Sequence, residues 1–386
     1  MKDMPYPRRV VVLGSTGSIG RNAVLELLEH KEEFQVVGLV ARNSIDLLAQ
    51  QAAQLGADTV ITTDEARLAE LNAAAPSTCK AAAGIDAMVE LVSRADVDVV
   101  LCAILGVTGI HPVLEALALG KHVALASKEV LCMAGELVMA AAEASPGGGI
   151  VPVDSEHSGL FQCLQGRRSD EISKLWITAS GGPFRNYSRE ELEKVTLEQA
   201  LRHPTWSMGA KITIDSASLM NKALELIEAH YLFNVPADRI GAVIHPQSKV
   251  HALAELVDGT FIAQLSAPDM RMAIRYGMTY PQRMAGSSAK MRLDECFGLE
   301  FMPIDMTRFP SIRLAKAAME AGGTMPAVLN ASNDVAVSRF MKREIAFTDI
   351  WSIVERTMAA FDVQPQQSIQ QLETIDKEAR AFAMKL

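Results

Sequence analysis

Asp154, Ser155, Glu156, His157 and Ser158 follow one another without a spacer at the end of the apolar run "GIVPVD". Two carboxylates two residues apart point to one side of an extended chain. Like charges held together repel unless a cation lies between them or one is protonated. Hard carboxylate oxygens favour Mg²⁺ or Mn²⁺ over zinc, whose sites recruit Cys and His. An exposed acidic loop fits the same residues. A third candidate carboxylate stands further along, in "SASLMNKALELIEAHYLF", residues 216–233. There Asn221 and Glu225 are four apart and share a helix face, with Lys222 beside them. Glu225 offers a ligand and Lys222 a charge for a phosphate, or both belong to a solvated face. Ser216 and Ser218 fall at the expected helix start, where hydroxyls cap the helix or bind anions.

Two further segments could hold a phosphate. "ITASGGPF" ends a strand in Ser180, Gly181 and Gly182, whose N–H groups and hydroxyl can cradle an anion. "HPTWSMG", residues 203–209, sets Trp206 and Met208 between Pro204 and Gly209. That composition fits a loop closing over a ligand to exclude water, or a Trp anchored in the core. His203 can donate to a phosphate or carry a proton.

The elements that position these groups follow from apolar runs at 8–14, 34–41, 57–62, 96–104, 122–127 and 149–154. Nearly continuous Val, Ile, Leu and Ala suit parallel strands buried on both faces. Helical spacing lies between them, so the expected fold is α/β, with an N-terminal Rossmann-like doubly wound sheet. The opening cluster follows the sixth run, at the carboxyl edge where ligands bind in such sheets. Gly14, Gly17 and Gly20 lie between the first strand and first helix as GxxGxxG, a variant of the dinucleotide fingerprint. Glycines there let backbone N–H groups approach a pyrophosphate at the helix N-terminus. The second strand ends in Arg42, Asn43 and Ser44 rather than an acid. A guanidinium suits a 2′-phosphate and favours NADP over NAD, although a solvated loop Arg would look the same.

After residue 170 come a strand, one long helix over 216–233, and three antiparallel strands with a hairpin at "DGT". "PDMRMAIRYGM" has helical spacing, and residues 285–312 read as a linker. Four helical stretches then close the chain. The expected domains are therefore 1–150 for NADPH, 151–284 for catalysis and dimerisation, a linker at 285–312, and a helical domain at 313–386. The chain has 386 residues and a net charge of −9 with no basic block, which argues against nucleic acid as a partner. The cysteines at 79, 102, 132, 163 and 296 are scattered and odd in number, arguing against a disulfide framework or zinc. No long apolar window predicts a membrane span and no leader is recognisable, so a cytoplasmic protein is expected.

Six segments occur in a characteristic order and spacing: "GSTGSIG", "SKE" at 127–129, "VDSEHS", "ITASGGPF", "HPTWSMGAKITIDSASLMNKALELIEAHYLF" and "HPQSKVHALAEL" with "DGT". On these the chain closely resembles the 1-deoxy-D-xylulose 5-phosphate reductoisomerases over nearly its whole length. The resemblance implies rearrangement of 1-deoxy-D-xylulose 5-phosphate and reduction by NADPH to 2-C-methyl-D-erythritol 4-phosphate, in the non-mevalonate isoprenoid route. It implies Mg²⁺ or Mn²⁺, a homodimer of three-domain subunits and a closing loop. The implied metal ligands are Asp154, Glu156 and Glu225, with Lys128 between cofactor and substrate. Ser155, Ser180, His203, Ser216, Asn221 and Lys222 would bind substrate, and Trp206 and Met208 would belong to the loop. Thr16, Gly17, Ser18 and Ile19 would hold the cofactor, touched also by Glu129 and Gly209. Ser127 stands where the family usually has Asn, and Arg42-Asn43-Ser44 departs from its usual Gly, basic residue and Asn. A metal-bound carbonyl could rearrange by retro-aldol and aldol steps or by ketol migration. A simple NADP-dependent dehydrogenase, which needs no carboxylate set, and a dinucleotide-sensing regulator are the competing readings.

Overall fold

The computed structural model describes residues 4–104, 106–203, 208–294 and 298–386. Trp206 and Cys296 lie outside the described residues. In chain order the first elements are β1 (Arg8–Leu13), α1 (Ser18–Glu29), β2 (Phe34–Ala41), α2 (Ile45–Leu55), β3 (Thr59–Thr62), α3 (Leu68–Ala74), β4 (Lys80–Ala83), α4 (Gly84–Ser93) and β5 (Val99–Cys102). Next are α5 (Ile110–Ala118), β6 (His122–Leu125), α6 (Lys128–Ala144), β7 (Gly149–Pro152), α7 (Ser155–Cys163), β8 (Ile172–Ala179), α8 (Arg189–Leu192), α9 (Leu197–Ala200), α10 (Ala210–Ala217) and α11 (Met220–Phe233). The rest are β9 (Ile240–Ile244), β10 (Val250–Leu256), β11 (Phe261–Leu265), α12 (Met270–Thr279), α13 (Ser311–Ala321), α14 (Met325–Met341), α15 (Asp349–Ala360) and α16 (Ile369–Ala383).

Contacts divide the chain into two units. The first comprises residues 1–130, 138–158 and 269–289. Its sheet has the order β4-β3-β2-β1-β5-β6-β7, and every pairing is parallel. Val10, Val11, Val12 and Leu13 are fully buried, as are Val99, Val100 and Leu101 on β5. Burying such a side chain contributes about 1.5–3 kcal/mol, so the apolar runs alone drive this layer together. The doubly wound sheet expected from sequence is present, with seven strands rather than six. The extra one, β4, reads "KAAA", which carries no β-branched signal; it is a strand because its backbone pairs with β3 from Thr59↔Lys80 to Thr62↔Ala83.

The first unit also takes in α12, which the sequence reading assigned to the middle domain. Buried polar contacts explain this. Arg8, fully buried at the start of β1, donates to the carbonyls of Met278 at 2.8 Å and Tyr280 at 3.1 Å. Arg275 donates to Glu26 on α1 at 2.7 Å, and His122 Nε2 lies 2.7 Å from the Gly277 carbonyl.

The second unit comprises residues 131–137, 159–268 and 290–386. Its sheet has the order β11-β10-β8-β9. The hairpin of β10 and β11 is antiparallel, as expected. β9 instead runs parallel to β8 and is not next to β10, because β8 is inserted between them. The helix expected over 216–233 is two helices, α10 and α11. Leu219 adopts φ +60 between them, and the Ser218 hydroxyl donates to Ile214 O at 3.0 Å and accepts from Met220 N–H at 3.4 Å. A serine that bonds back to its own turn competes with helix continuation, and periodicity does not register this. The four C-terminal helices occur where expected, but they share the core of the second unit. Trp351 on α15 donates to Ser218 O at 3.1 Å and to Ser311 Oγ at 2.8 Å. Among the described residues no helix is long and apolar enough to cross a membrane.

Candidate active site

In the first unit the chain turns from β1 into α1 through residues 14–17. Gly14 has φ +92, and a Cβ there would stand 2.4 Å from the Ala103 carbonyl oxygen, so the turn admits only glycine. Gly20 packs equally closely against Gly14 and Ser15. α1 begins after Gly17 with no side-chain cap and no acid in its first turn. Its first N–H groups, from Ser18 and Ile19 onward, have no intrahelical acceptor and face the exposed end. Gly17 and Ser18 are exposed and Thr16 and Ile19 half-buried. This is a cradle that fits a pyrophosphate.

At the end of β2, Arg42, Asn43 and Ser44 are exposed. The Arg42 carbonyl accepts from Thr62 Oγ1 at 3.0 Å, which fixes the backbone and leaves the three side chains at the rim. Arg67, which no sequence motif marks, donates from its guanidinium to the Asn43 carbonyl and pairs with Glu70. It thus places a second cation at the same rim. Twenty-four positions separate the two residues, so no local motif could have announced it.

Ser127 is buried, and its hydroxyl donates to the Ile104 carbonyl at 2.5 Å. Its proton therefore serves the sheet's own backbone, which is what the shorter side chain allows. Lys128 and Glu129 follow as the first buried residues of α6. The Lys128 ammonium pairs with the Asp154 carboxylate. Asp154 does not continue as a strand into Glu156. α7 starts at Ser155, and the Asp154 carbonyl accepts from Ser158 N–H at 2.8 Å. The extended geometry expected for the pair is therefore corrected: Glu156 lies in the first helical turn, where an acid suits the helix dipole. Ser155 Oγ donates to Glu156 Oε2 at 2.5 Å. Asp154, Ser155 and Glu156 are all half-buried, with oxygens of the hard type a divalent cation selects.

In the second unit three predicted residues converge from three segments. His203 Nε2 lies 3.2 Å from Ser180 Oγ and 3.0 Å from Ser216 Oγ. Burial pushes the His203 imidazole down to about 4, so it is neutral near pH 7. Ser180 is followed by Gly181 and Gly182, both at positive φ. A Cβ on Gly182 would stand 2.8 Å from the Ser216 carbonyl, so glycine here lets α10 approach. Ser216 sits near the end of α10, not at a helix start as the sequence reading had it, and Ser218 is its buried C-cap. On α11, Asn221 Nδ2 donates to Glu225 Oε1 at 2.5 Å, and Lys222 pairs with the other oxygen. Lys222 and Glu225 are buried, which a merely solvated helix face would not be. Met208 is half-buried, and Gly209 is the exposed N-cap of α10.

Three family models cover most of the chain. They are 1-deoxy-D-xylulose 5-phosphate reductoisomerase over residues 10–135, its C-terminal domain over 150–233, and DXP reductoisomerase C-terminal domain over 265–382. The 1-deoxy-D-xylulose 5-phosphate reductoisomerase of Chlorobium chlorochromatii is 46% identical over 380 residues, 97% of this chain and 98% of that protein. The chain belongs to the 1-deoxy-D-xylulose 5-phosphate reductoisomerase family. The Rhodospirillum centenum member is 45% identical, covering 98% of this chain and 94% of its own. The Zymomonas mobilis reductoisomerase, solved in complex with NADPH, has a TM-score of 0.92 and 39% identity, with 98% of each chain covered. A reductoisomerase solved with NADPH, fosmidomycin and magnesium has a TM-score of 0.91 and 34% identity, again with 98% of each chain covered. The glycine-lined turn, the acid-bearing start of α7 and the His203 cluster fall in the segments on which the resemblance to that family rests.

Proposed function

We propose that the chain converts 1-deoxy-D-xylulose 5-phosphate to 2-C-methyl-D-erythritol 4-phosphate, with NADPH and a divalent cation, Mg²⁺ or Mn²⁺. The observation that carries this reading is the 46% identity over nearly the full length of a named reductoisomerase. When bound, the cation supplies Lewis acidity and NADPH a hydride.

The chain's own residues supply the rest. The N–H groups at the start of α1 would hold the pyrophosphate, and Arg42, with Arg67 behind it, the 2′-phosphate. Asp154, Glu156 and Glu225 are the residues we assign to the cation. Lys128 pairs with Asp154 and so orients its carboxylate. Lys222 does the same for Glu225, and Asn221 fixes that carboxylate's rotation. Ser180, His203 and Ser216 would take the substrate phosphate: two hydroxyls and one ring nitrogen turned toward each other offer three hydrogen-bonding groups to one anion. A dianion bound there raises the imidazole's affinity for a proton, so His203 would hold a proton against the phosphate that it does not hold without it. Residues 203–209 would exclude water once substrate is seated. We also read the protein as cytoplasmic and as a homodimer. The apolar residues Phe261, Ala263 and Leu265 alternate on the exposed side of edge strand β11, a face a second copy could cover.

Mass spectrometry of the product from substrate, NADPH and Mg²⁺ tests the reaction. A branched methylerythritol phosphate is expected. A straight-chain alcohol would instead favour a simple dehydrogenase.

A further inference from the structure

α10 has only eight residues, no side-chain N-cap and no acid in its first turn. A helix this short has little stability of its own, so its position is set by what anchors it. The anchor is a row of alternating charges in the second unit. Asp215, nearly inaccessible to solvent, accepts from Lys211 Nζ at 2.9 Å and from Asn333 Nδ2 on α14 at 2.9 Å. Lys211 Nζ also lies 3.0 Å from Asp334 Oδ1 on α14. Asp334 Oδ2 accepts from Arg380 Nη2 on α16 at 2.8 Å, and Arg380 Nε pairs with Asp376 at 2.7 Å. Burial alone would push the Asp334 carboxyl up, but Lys211 and Arg380 hold it below its ordinary range, so it is charged. The row ends at Asp215, next in sequence to Ser216. From the other side Gly182 closes on the Ser216 carbonyl.

We propose that Lys211 and Asp334 are positioning residues for substrate: the row from α16 through α14 to Asp215 fixes the rotation of α10 and so aims the Ser216 hydroxyl at the substrate phosphate. This rests on the phosphate reading of the Ser180, His203 and Ser216 cluster. A row of buried and half-buried ions is weak as a source of stability, because apolar side chains of the same volume would serve as well. What charges add is direction, since each hydrogen bond fixes an angle that apolar contact leaves free.

The test uses the full enzyme with inorganic phosphate as the probe, measured as an inhibitor competitive with substrate. Asp334→Asn and Lys211→Met should each raise the phosphate inhibition constant and the substrate KM about tenfold, the equivalent of one hydrogen bond of ordinary strength. kcat should stay within about twofold, and NADPH affinity, read by fluorescence, should not change. Asp334→Glu should recover most of the loss. Ser216→Ala should weaken phosphate in the parent enzyme but add little in the Asp334→Asn background, because residues acting through one contact are not additive. If Ser216→Ala weakens phosphate but Asp334→Asn only lowers the melting temperature, or if the two effects add, the positioning role is overturned and the phosphate reading stands. If Ser216→Ala leaves phosphate inhibition unchanged, both fall. Should Asp334→Asn fail to fold, Arg380→Met, which leaves the Lys211–Asp215 pair intact, carries the same expectation at smaller size.

Discussion

Replacing Glu225 by Gln removes one negative charge and almost no volume. Glu225 is 1% exposed and accepts from Asn221 and from the buried Lys222 ammonium. Losing one member of a buried ion pair costs about 3–5 kcal/mol. Set against the roughly 5–15 kcal/mol by which native domains are stable, this leaves the variant folded but lower melting. Its effect on the cation should be larger than on the fold. Outer partners of metal ligands typically cost about 10–100-fold in affinity when removed, so a direct ligand should cost at least about 100-fold. The assay is calorimetric titration of Mg²⁺ or Mn²⁺ into parent and variant, with NADPH affinity as the control for intact structure. A cation affinity within about threefold of the parent, in a variant that still binds NADPH, would remove Glu225 from the ligand set and leave its pairing with Lys222 as its whole role.

Arg42→Ala should reduce kcat/KM with NADPH strongly and with NADH little, and Arg67→Ala should act the same way at smaller size; equal losses with both cofactors would make these residues structural. Gly182→Ala forces a Cβ to 2.8 Å from the Ser216 carbonyl at a positive φ, so substrate KM should rise while NADPH affinity holds, and an unchanged KM would refute the close approach. Burial pushes both His122 and His251 down to about 4. A depressed histidine stabilises the fold fully above its ordinary value near 6.5, and this is lost as pH falls from there toward 4. The loss is at most about 3 kcal/mol for each histidine. The urea midpoint should therefore drop between pH 7 and pH 4.5, and a flat profile would contradict it.

The sheet was legible because parallel strands buried on both faces need unbroken Val, Ile and Leu, and residues 10–13 and 99–101 supply them. β4 was not, since an alanine run satisfies helix, strand and loop alike and only pairing with β3 decides. The inclusion of α12 in the first unit was not legible for a similar reason. Arg8 reaches Met278 and Tyr280 across 270 and 272 positions, and no local pattern carries such a contact. At the site, residue types were readable but backbone state was not. Asp154 and Glu156 read as neighbours on a strand, whereas the chain turns helical between them. Ser216 read as the start of a helix and lies near the end of one, because the break at Ser218 depends on a hydroxyl's choice of partner. Arg67 and the row from Asp215 to Asp376 were invisible, being assembled from segments remote in sequence.

The most direct test is NADPH oxidation followed at 340 nm with 1-deoxy-D-xylulose 5-phosphate, before and after chelator and again after Mg²⁺ is restored. Substrate-dependent oxidation that stops with chelator and returns with Mg²⁺ is the predicted result. Oxidation that persists at full rate in chelator would contradict the assignment of Asp154, Glu156 and Glu225 to a cation the reaction requires.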